Sequence, residues 1–492
     1  MSRVRDGRHL PLAAALTGTD ECVARILTSR EVAIDWPARI ESTRCGRALV
    51  RVTTSLVLRY CPCVRLVPRT PLASEVAARL QRIDHDADPM RIPRTNAVHL
   101  HLGGGARADV TASSAGWVAH VSGIGEALPE LVDGDNVVGA HGAAALAAAE
   151  AMKRLLPIRD EVACLTPTIA YCFWSFGAPR ASTPRLPRVT LPVTLQGGNG
   201  AIGEAVIDVL VSADAGGTLY VNDRGFIDDA TNLNRSEEAE ERDLDAKTAK
   251  VALAVRRAQG SRLEVVPLEG ELSNVIARIE SGELPWPRLV IGAYDNVEAR
   301  RELQTLWPDV LIDGATGDTM AQVLRVAWGS GGACSRCIFK TRTLSPAEHD
   351  RAFSMMTGIS PERVAAARRG ELVLEPEEIL DPAVHAMLEQ RAGDVCGFFS
   401  DFDRWFAGAS SEEPTLLAVS FTSYLAGVFV ASEVLKAAAG LATLLPGRYQ
   451  IDPIATLAPP PPYAPQANEA CDCVTTRRSI DAYRQAMERH RT

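Results

Sequence analysis

The sequence predicts an α/β protein built on a doubly wound, mostly parallel sheet, and three observations support this fold class. Short apolar strands alternate with amphipathic helices between residues 193 and 295. A glycine-rich turn joins the first of these strands to its helix. A run of charged helices follows, which we expect to form a helical subdomain inserted into the sheet domain. Strands that alternate with helices at this spacing form parallel sheets with helices on both faces.

The order of these elements can be read along the chain. The segment "FWSFGAPRASTPRLPRVTLP" (173–192) contains four prolines and separates an N-terminal half from the glycine turn. The turn is followed by the strand "GTLYVND", the helix "DAKTAKVALAVRRAQG", the strand "RLEVVPL", a helix near 271–281 and the strand "RLVIGAYD". Charged helices occupy 345–412, and the apolar helix "SYLAGVFVASEVLKAAAG" then returns to the core.

These elements predict five parts of the chain. They are a degenerate N-terminal copy of the fold (1–180), the first part of the domain with the intact glycine turn (181–345), the helical insertion (346–412), the return segment of that domain (413–476) and a tail (477–492).

Length and composition narrow the class of protein. The 492 residues are about three times the length of a usual domain. The formal net charge of −9 argues against a nucleic-acid partner, and a composition of 46% hydrophobic and 23% charged residues is typical of soluble globular proteins. We therefore expect proteins and small molecules as partners.

The sequence predicts neither secretion nor insertion into a membrane. The short run "LPLAAAL" is followed by Thr19, Asp20 and Glu21 instead of a cleavage site. The apolar stretches "AAALAAAEAM" and "LAGVFVASEVL" contain Glu150 and Glu433 and are shorter than the roughly 20 residues of a membrane span. Eleven cysteines are too few for a disulfide scaffold in a chain of this length. We therefore expect a cytoplasmic protein.

A weak internal repeat supports the view that the N-terminal half is a second copy of the fold. The segments "AALAAAEAMKRL" (144–155) and "GVFVASEVLKAA" (427–438) share the spacing of an alanine, a glutamate and a lysine. Upstream, "NAVHLHLGGGARADV" has the form of a damaged glycine turn. Alanine-rich helices also resemble one another by chance, so the repeat alone leaves both explanations open.

The segment "VTLQGGNGAIGEAVIDVL" places Gly198, Gly200 and Gly203 in the pattern GxGxxG between a strand and a helix. Glycine permits positive backbone angles and close approach of a phosphate, and the helix N-terminus attracts the anion. Asp223 ends the next strand, where it can hold a ribose. Taken alone, this Rossmann-like arrangement favours a dinucleotide-dependent dehydrogenase.

The residues after Asp223 favour chemistry on a triphosphate over hydride transfer. The segments "TNLNR" and "DAKTAK" add amide and cationic groups beside the same strand ends, which stabilise the charge of a cleaved triphosphate. A later apolar strand ends at Asp295 in "AYDNVEARRELQ", and a carboxylate beside phosphates suits magnesium. The groups concerned are Asn232, Asn234, Arg235, Lys247 and Asp295.

The ordered set GxGAxG, Asp, NLNR, Lys and DN-x-x-x-R, followed by C-x-x-C and a second cysteine pair, resembles the ThiF/MoeB/ubiquitin-activating enzyme superfamily. The resemblance is clear over about 190–340 and looser over 415–475. Enzymes of this superfamily adenylate the C-terminal glycine carboxylate of ubiquitin-like or sulfur-carrier proteins. The resemblance therefore implies ATP and Mg²⁺ as cofactors.

The resemblance also implies a role for each matching residue. The three glycines cradle ATP, Asp223 takes the ribose, and Asn232 and Arg235 contact the phosphates. Lys247 stabilises the leaving pyrophosphate and Asp295 holds magnesium. The glycine that usually precedes the catalytic lysine is missing from "RDLDAKTAK", so Lys250 is an alternative to Lys247.

Two cysteine pairs flank the predicted insertion and predict a zinc site. Four thiolates suit a tetrahedral zinc ion, and the superfamily carries a comparable structural zinc. The alternative is four unligated cysteines, two of them with a redox role. The four residues are Cys334, Cys337, Cys471 and Cys473.

Cys396 in "QRAGDVCGFFSDF" is the only cysteine of the predicted insertion. Ubiquitin-activating relatives place their thioester cysteine in this region, so the resemblance implies that Cys396 attacks the acyl-adenylate. The alternative is a buried cysteine that acts as a small hydrophobe.

The leading interpretation is an activating enzyme of a bacterial ubiquitin-like conjugation system linked to antiphage defence. Its partners would be a ubiquitin-like protein and a conjugating enzyme, and it would be a monomer with an internal pseudo-dimer or a homodimer. Activation of a sulfur carrier for thiamin or molybdopterin synthesis is the second interpretation. A non-catalytic scaffold of the same fold is the third.

Overall fold

The structure of the protein is a computed structural model. It describes residues 13, 17, 23–158, 163–180, 182–317, 319–339, 419–441, 447–454 and 464–489, and within 340–416 it describes 350, 353–355, 357–368, 371–379, 382, 384, 385 and 388. The chain divides into two compact units. One unit consists of Met1–Phe339 and Leu417–Thr492, and the other is Lys340–Leu416.

The first unit contains two sheets. Six strands form the N-terminal sheet: β1 (Val32–Asp35), β2 (Val64–Leu66), β3 (Val98–Leu102), β4 (Val110–Ala115), β5 (Val118–Ser122) and β6 (Ile169–Cys172). Seven strands form the C-terminal sheet: β7 (Thr194–Gly197), β8 (Gly217–Asp223), β9 (Leu263–Glu269), β10 (Leu289–Gly292), β11 (Val310–Gly317), β12 (Met320–Ala327) and β13 (Arg448–Ile451).

Helices connect these strands. In the N-terminal half they are α1 (Val23–Ser29), α2 (Arg44–Leu58), α3 (Pro71–Ile83) and α4 (Val138–Leu155). In the C-terminal half of the same unit they are α5 (Ala201–Ser212), α6 (Ala230–Leu233), α7 (Glu241–Asp245), α8 (Lys250–Ala258), α9 (Leu272–Glu280), α10 (Val297–Leu303), α11 (Ser335–Ile338), α13 (Ser420–Ala438), α14 (Asp472–Thr475) and α15 (Arg477–Arg489), and α12 (Pro361–Arg368) belongs to the second unit.

Local sequence explains where several helices begin. Pro71 is the first residue of α3, and the side chain of Thr70 accepts a hydrogen bond from the amide of Ala73. Asn296 caps α10 in the same way by accepting from the amide of Ala299 at 2.7 Å. These caps satisfy amides that have no partner inside the helix.

The two sheets share one topology, which confirms the predicted α/β fold class. The N-terminal order is β2-β1-β3-β4-β5-β6 and the C-terminal order is β13-β12-β11-β10-β7-β8-β9. In both sheets the first strand lies between parallel neighbours, and two antiparallel strands complete one edge. Strand β1 therefore corresponds to β7, β3 to β10 and β6 to β13, whereas no described strand of the N-terminal sheet corresponds to β9.

Four helices lie between the sheets and form a shared core. Helix α4 packs against α2 and α13, and α13 packs against α5. One hydrophobic cluster includes buried residues from both halves. Because α4 and α13 occupy equivalent positions before β6 and β13, the alanine-rich segments aligned in the sequence are structural counterparts.

The equivalent helices carry equivalent buried ion pairs. Glu150 pairs with Lys153 on α4, and Glu433 pairs with Lys436 on α13 at 2.7 Å. Helix α13 is long and apolar enough to cross a membrane by length and composition, but 89% of its apolar window is buried within the fold. It is a core helix of this unit.

The proposed position of the damaged glycine turn is wrong. The segment "NAVHLHLGGGARADV" contains β3, whose counterpart is β10, so its glycines do not correspond to the turn after β7. The true counterpart is the longer connection between β1 and α2. Gly46 and Gly203 are the third residues of α2 and α5, and a Cβ atom would lie 2.1 Å from the Ile40 carbonyl oxygen and 2.3 Å from that of Gly198, respectively.

The second unit, Lys340–Leu416, contains the segment that the sequence predicts as an inserted helical subdomain. Its described part has helix α12 and a 3₁₀ turn at Pro376–Glu378. Apolar side chains form a small core of their own: Phe353, Ile359, Val364, Ala367, Leu374, Ile379, Val384 and Leu388.

Candidate functional site

The glycine turn lies at the carboxyl end of β7, where α5 begins. Gly198 has a φ of +90°, and a Cβ atom there would lie 2.6 Å from the carbonyl oxygen of Ala293. Gly200 caps α5, and a Cβ atom on it would meet nothing within 4 Å. The turn is therefore closed against β10 on one side and open at the helix N-terminus, where amides attract an anion.

Asn199, to which sequence reasoning gave no role, holds this turn in place. Its side chain is fully buried, and its Nδ2 donates to the carbonyl oxygen of Lys250 at 2.7 Å. Its backbone amide donates to Oδ2 of Asp223 at 2.7 Å. The central "N" of "GGNG" is the signal for this residue, since a buried amide can join three chain segments at one turn.

Asp223 ends β8 and braces the turn. Besides the amide of Asn199, its carboxylate accepts the amide of Gly225 at 2.7 Å. A Cβ atom on Gly225 would lie 3.1 Å from both Asp223 Oδ1 and Lys250 Nζ. The carboxylate predicted to take the ribose and the alternative lysine thus lie beside the same loop.

The two candidate lysines occupy different surroundings. Lys250 is the half-buried first residue of α8 and is joined to the glycine turn through Asn199. Lys247 is exposed and has a φ of +48°, in the loop after α7. Of the two lysines, Lys250 is therefore the one whose ammonium lies in the loop of Asp223 and Gly225 and whose backbone is bonded to the glycine turn.

The "TNLNR" segment forms α6 and the residues after it. Asn232 is half-buried, and its Nδ2 lies 3.4 Å from Asp228 Oδ1. Asn234 is only 4% exposed, and among the described residues neither its amide nitrogen nor its amide oxygen has a hydrogen-bond partner. A buried amide of this kind is costly unless a ligand or water completes its hydrogen bonds.

Ser236 fixes this segment to the start of α5. Its hydroxyl donates to Glu204, at 2.6 Å from Oε2, and the amide of Glu238 donates to the same oxygen at 2.9 Å. Glu204 is fully buried on the first turn of α5, and this burial raises its pKa to about 7. Asn234 and Arg235 therefore lie immediately before Ser236, the residue that is bonded to the helix after the glycine turn.

The loop after β10 carries Asp295, which is exposed. Arg300 of "DNVEAR" is buried and donates from Nε and Nη2 to the carbonyl oxygen of Tyr294 at 2.8 and 2.6 Å. It also donates from Nη1 to Asp313 at 3.0 Å, and burial raises the pKa of Asp313 to about 7. The arginine of the DN-x-x-x-R pattern thus shapes the loop that carries the exposed Asp295.

The sheet register brings these parts to one edge. Gly197 is the register partner of Asn222 on β8 and of Gly292 on β10. The chain proceeds from β7 to β8 and β9 on one side and then returns to β10 and β11 on the other. Open α/β sheets bind ligands where the strand order reverses in this way.

The four predicted zinc ligands lie together. The Sγ atom of Cys334 is 3.7 Å from those of Cys337 and Cys471, and Cys337 Sγ is 3.5 Å from Cys473 Sγ. Four sulfurs at about 2.3 Å from a tetrahedral zinc ion are about 3.8 Å apart, whereas disulfide sulfurs are about 2.05 Å apart. The donor set therefore fits zinc, and all four cysteines are free of disulfides.

Cys396, the predicted thioester cysteine, lies outside the described residues. Its role stays a prediction from the sequence.

Comparisons with known proteins find a related sequence and several solved structures. The chain is 24% identical over 447 residues to the uncharacterized protein y4jF of Sinorhizobium fredii (strain NBRC 101917 / NGR234), covering 84% of this chain and 83% of that protein. A structure of the microcin C7 biosynthetic enzyme MccB (E. coli) with N-formylated MccA matches at 14% identity and a TM-score of 0.35, over 54% of this chain and 62% of MccB. A structure of PaaA matches at 13% identity and a TM-score of 0.29, over 53% of this chain and 69% of PaaA. The chain thus spans less than two thirds of the length of MccB.

The sequence model of the ThiF family matches residues 194–473. This range is more than half of the 492 residues, and it contains the glycine turn, the "TNLNR" segment, Asp295 and the four clustered cysteines. The chain belongs to the ThiF family.

Proposed function

We propose that this protein uses ATP to adenylate the C-terminal glycine carboxylate of a ubiquitin-like protein. Membership of the ThiF family supports ATP-dependent adenylation in general. The observation that carries the proposal is the glycine turn with its open helix N-terminus, because the same helix holds Ser236, two residues after a buried Asn234 whose side chain has no partner among the described residues. The phosphate oxygens of a ligand would accept hydrogen bonds from the helix amides and from Asn234 Nδ2.

The residues at this edge suit transfer of an adenylyl group. The glycine turn would hold the phosphates of ATP, and Asp223 lies where the ribose would bind. The "TNLNR" segment would also contact the phosphates, through Asn232, Asn234 and Arg235. Asp295 would bind Mg²⁺ and so help neutralise the phosphate charge.

In the proposed reaction, a carboxylate oxygen of the substrate protein attacks the α-phosphorus of ATP. The bond from this phosphorus to the β-phosphate oxygen breaks, and pyrophosphate leaves. Cationic groups stabilise the charge that develops on the leaving group. We assign this role to Lys250 in preference to Lys247, because Lys250 Nζ lies in the loop of Asp223 and Gly225 and its backbone is bonded to Asn199 of the glycine turn.

A thioester step would follow on Cys396. Its thiolate would attack the carbonyl carbon of the acyl-adenylate, AMP would leave, and the acyl group would pass to a cysteine of a conjugating enzyme. The placement of this pathway in the bacterial cytoplasm and in antiphage defence belongs to the proposal and rests on the sequence resemblance.

The test is ATP–pyrophosphate exchange by the full-length chain with added ubiquitin-like and sulfur-carrier proteins that end in Gly-Gly. We expect exchange with at least one ubiquitin-like protein and none when its last glycine is removed. Exchange with none of them, while the chain is folded, would overturn the proposed activity.

The thioester step is tested separately. The Cys396→Ala variant should retain exchange but lose a covalent adduct that added thiols cleave by taking over the acyl group. If the adduct persists in this variant, another residue is the nucleophile. Exchange with sulfur carriers alone, without any adduct, would support the second interpretation.

A further inference from the structure

Arginine side chains of the N-terminal half contact residues 233–239, the segment that contains Asn234. Arg59 follows α2 as its C-terminal cap and is only 1% exposed. Its guanidinium donates to the carbonyl oxygen of Leu233, and from Nη2 to those of Glu237 at 3.2 Å and Ala239 at 3.1 Å. Burial lowers its pKa to about 10, so the group is still charged at neutral pH.

Two further arginines fix the side chain of Glu237. Arg79 of α3 donates from Nη2 to the Glu237 carbonyl oxygen at 2.8 Å and to its Oε1 at 2.9 Å. Arg51 of α2 lies 3.3 Å from the same Oε1 and also pairs with Asp208 at 2.5 Å. The N-terminal half therefore contacts residues 233–239 from one side, and Glu204 holds Ser236 from α5.

The hydrogen bond from Arg59 to Leu233 lies directly before Asn234 in the chain. The carbonyl group of Leu233 belongs to the peptide that continues into Asn234. A guanidinium bonded to this oxygen fixes the plane of that peptide and hence the direction in which the Asn234 side chain leaves the backbone. Arginine suits this role because its planar group donates several hydrogen bonds in fixed directions.

We propose that Arg59 of the N-terminal half is a positioning residue for the nucleotide site, because it fixes the peptide group that directs Asn234 toward ATP. The proposal rests on the proposed function, since it takes Asn234 as a ligand of ATP. The N-terminal half thereby has a defined role, since it holds the phosphate-contacting segment of the other half in its binding conformation.

The test measures ATP binding to the full-length chain by calorimetry, together with thermal unfolding. Arg59→Gln should weaken ATP binding by about tenfold or more. Arg82→Gln is the matched control, because the contact that the described residues give Arg82 in this region is with the side chain of Glu240, at 2.8 Å, just after residues 233–239. The control should change ATP affinity by less than about twofold.

A double-mutant cycle with Asn234→Ala separates positioning from general stability. If Arg59 acts through Asn234, Arg59→Gln should add little to the loss of affinity that Asn234→Ala already causes. Additive losses, or a lower unfolding temperature with unchanged ATP affinity, would overturn the proposal.

Two variants keep the test valid if Arg59→Gln does not fold. Arg59→Lys keeps the charge with fewer directed donors and should bind ATP more weakly than the wild type. In Arg59→Ala, added millimolar guanidinium chloride should restore part of the affinity, and wild-type affinity in Arg59→Lys would count against the proposal. Failure of the wild type itself to bind ATP would instead overturn the proposed function.

Discussion

Lys436 Nζ lies 2.7 Å from Glu433 Oε1, and both side chains are fully buried. The same ammonium donates to the carbonyl oxygen of Phe173 at 2.7 Å and lies 4.3 Å from the centre of the Phe176 ring. Lys436 belongs to α13, whereas the two phenylalanines follow β6 of the N-terminal sheet. This lysine therefore joins the two halves of the unit by charge, hydrogen bonds and aromatic contact.

Replacing Lys436 by methionine should strongly destabilise the protein. The variant leaves Glu433 buried with only part of its pairing, including the contact with Arg325 at 3.1 Å. Breaking a buried ion pair by removing one partner costs about 3–5 kcal/mol. Urea unfolding measures this loss, and Arg185→Met, which removes an exposed pair with Asp135, should leave stability nearly unchanged. A loss below about 1 kcal/mol would contradict the prediction.

Two glycine variants should separate the structural and binding roles of the turn. Gly198→Ala forces an alanine to a φ of +90° against a carbonyl oxygen 2.6 Å away, so we expect a loss of at least about 2 kcal/mol. Gly200→Ala has no such clash and should cost less than about 1 kcal/mol. Thermal unfolding compares the two variants.

The same Gly200→Ala variant should nevertheless weaken ATP binding by about tenfold, because the added methyl group enters the open space at the helix N-terminus. Calorimetric titration with ATP measures this effect. Wild-type affinity in this variant would show that the phosphates do not lie against Gly200.

The cysteine cluster should bind one zinc ion per chain. Protein purified without chelators should contain about one zinc, and Cys473→Ser should remove most of it and lower the unfolding temperature. Elemental analysis by mass spectrometry provides the measurement. Cys63→Ser is the control, because Cys63 is a half-buried cysteine outside the cluster. Wild-type protein without zinc would refute the zinc assignment.

The raised pKa of Glu204 predicts a pH dependence of stability. Its pKa is about 7 in the folded protein, against 4.5 for an ordinary glutamate, because it is buried. The folded state therefore binds this proton more tightly than the unfolded state. The resulting stabilisation is fully present below about pH 4.5 and is lost as the pH rises through about 7.

Glu204→Gln should remove this contribution. We expect the stability of the wild type relative to the variant to fall between about pH 5 and pH 8. Asp313 titrates in the same direction but remains in both proteins, so the difference isolates Glu204. Urea unfolding at several pH values measures it, with the exposed Glu298→Gln as the control. A constant difference over this range would contradict the prediction.

The sequence predicted those parts of the site that depend on residues close together in the chain. The strand, turn and helix around Gly198 follow from hydrophobic periodicity and from the backbone freedom of glycine. The cysteine pairs predicted a cluster because metal ligands of one type recur at short spacings. The sulfur distances in the structure agree with that expectation.

Other features depend on contacts between distant parts of the chain. Arg59 lies 174 residues before Leu233, and no local pattern relates them. The glycines after β3 were matched to the wrong turn, since a glycine run does not show which strand of a sheet precedes it. Asn234 became notable only when its burial and its lack of a partner among the described residues were known.

The shared core of four helices has an evolutionary consequence. In a symmetric dimer of identical chains, every substitution appears in both subunits. A residue that supports the site of the partner subunit must therefore also be compatible with the site of its own subunit. Here each half is encoded once. Arg59 can therefore be optimised as a support without any change in the C-terminal half, and dilution cannot separate the two halves because they belong to one chain.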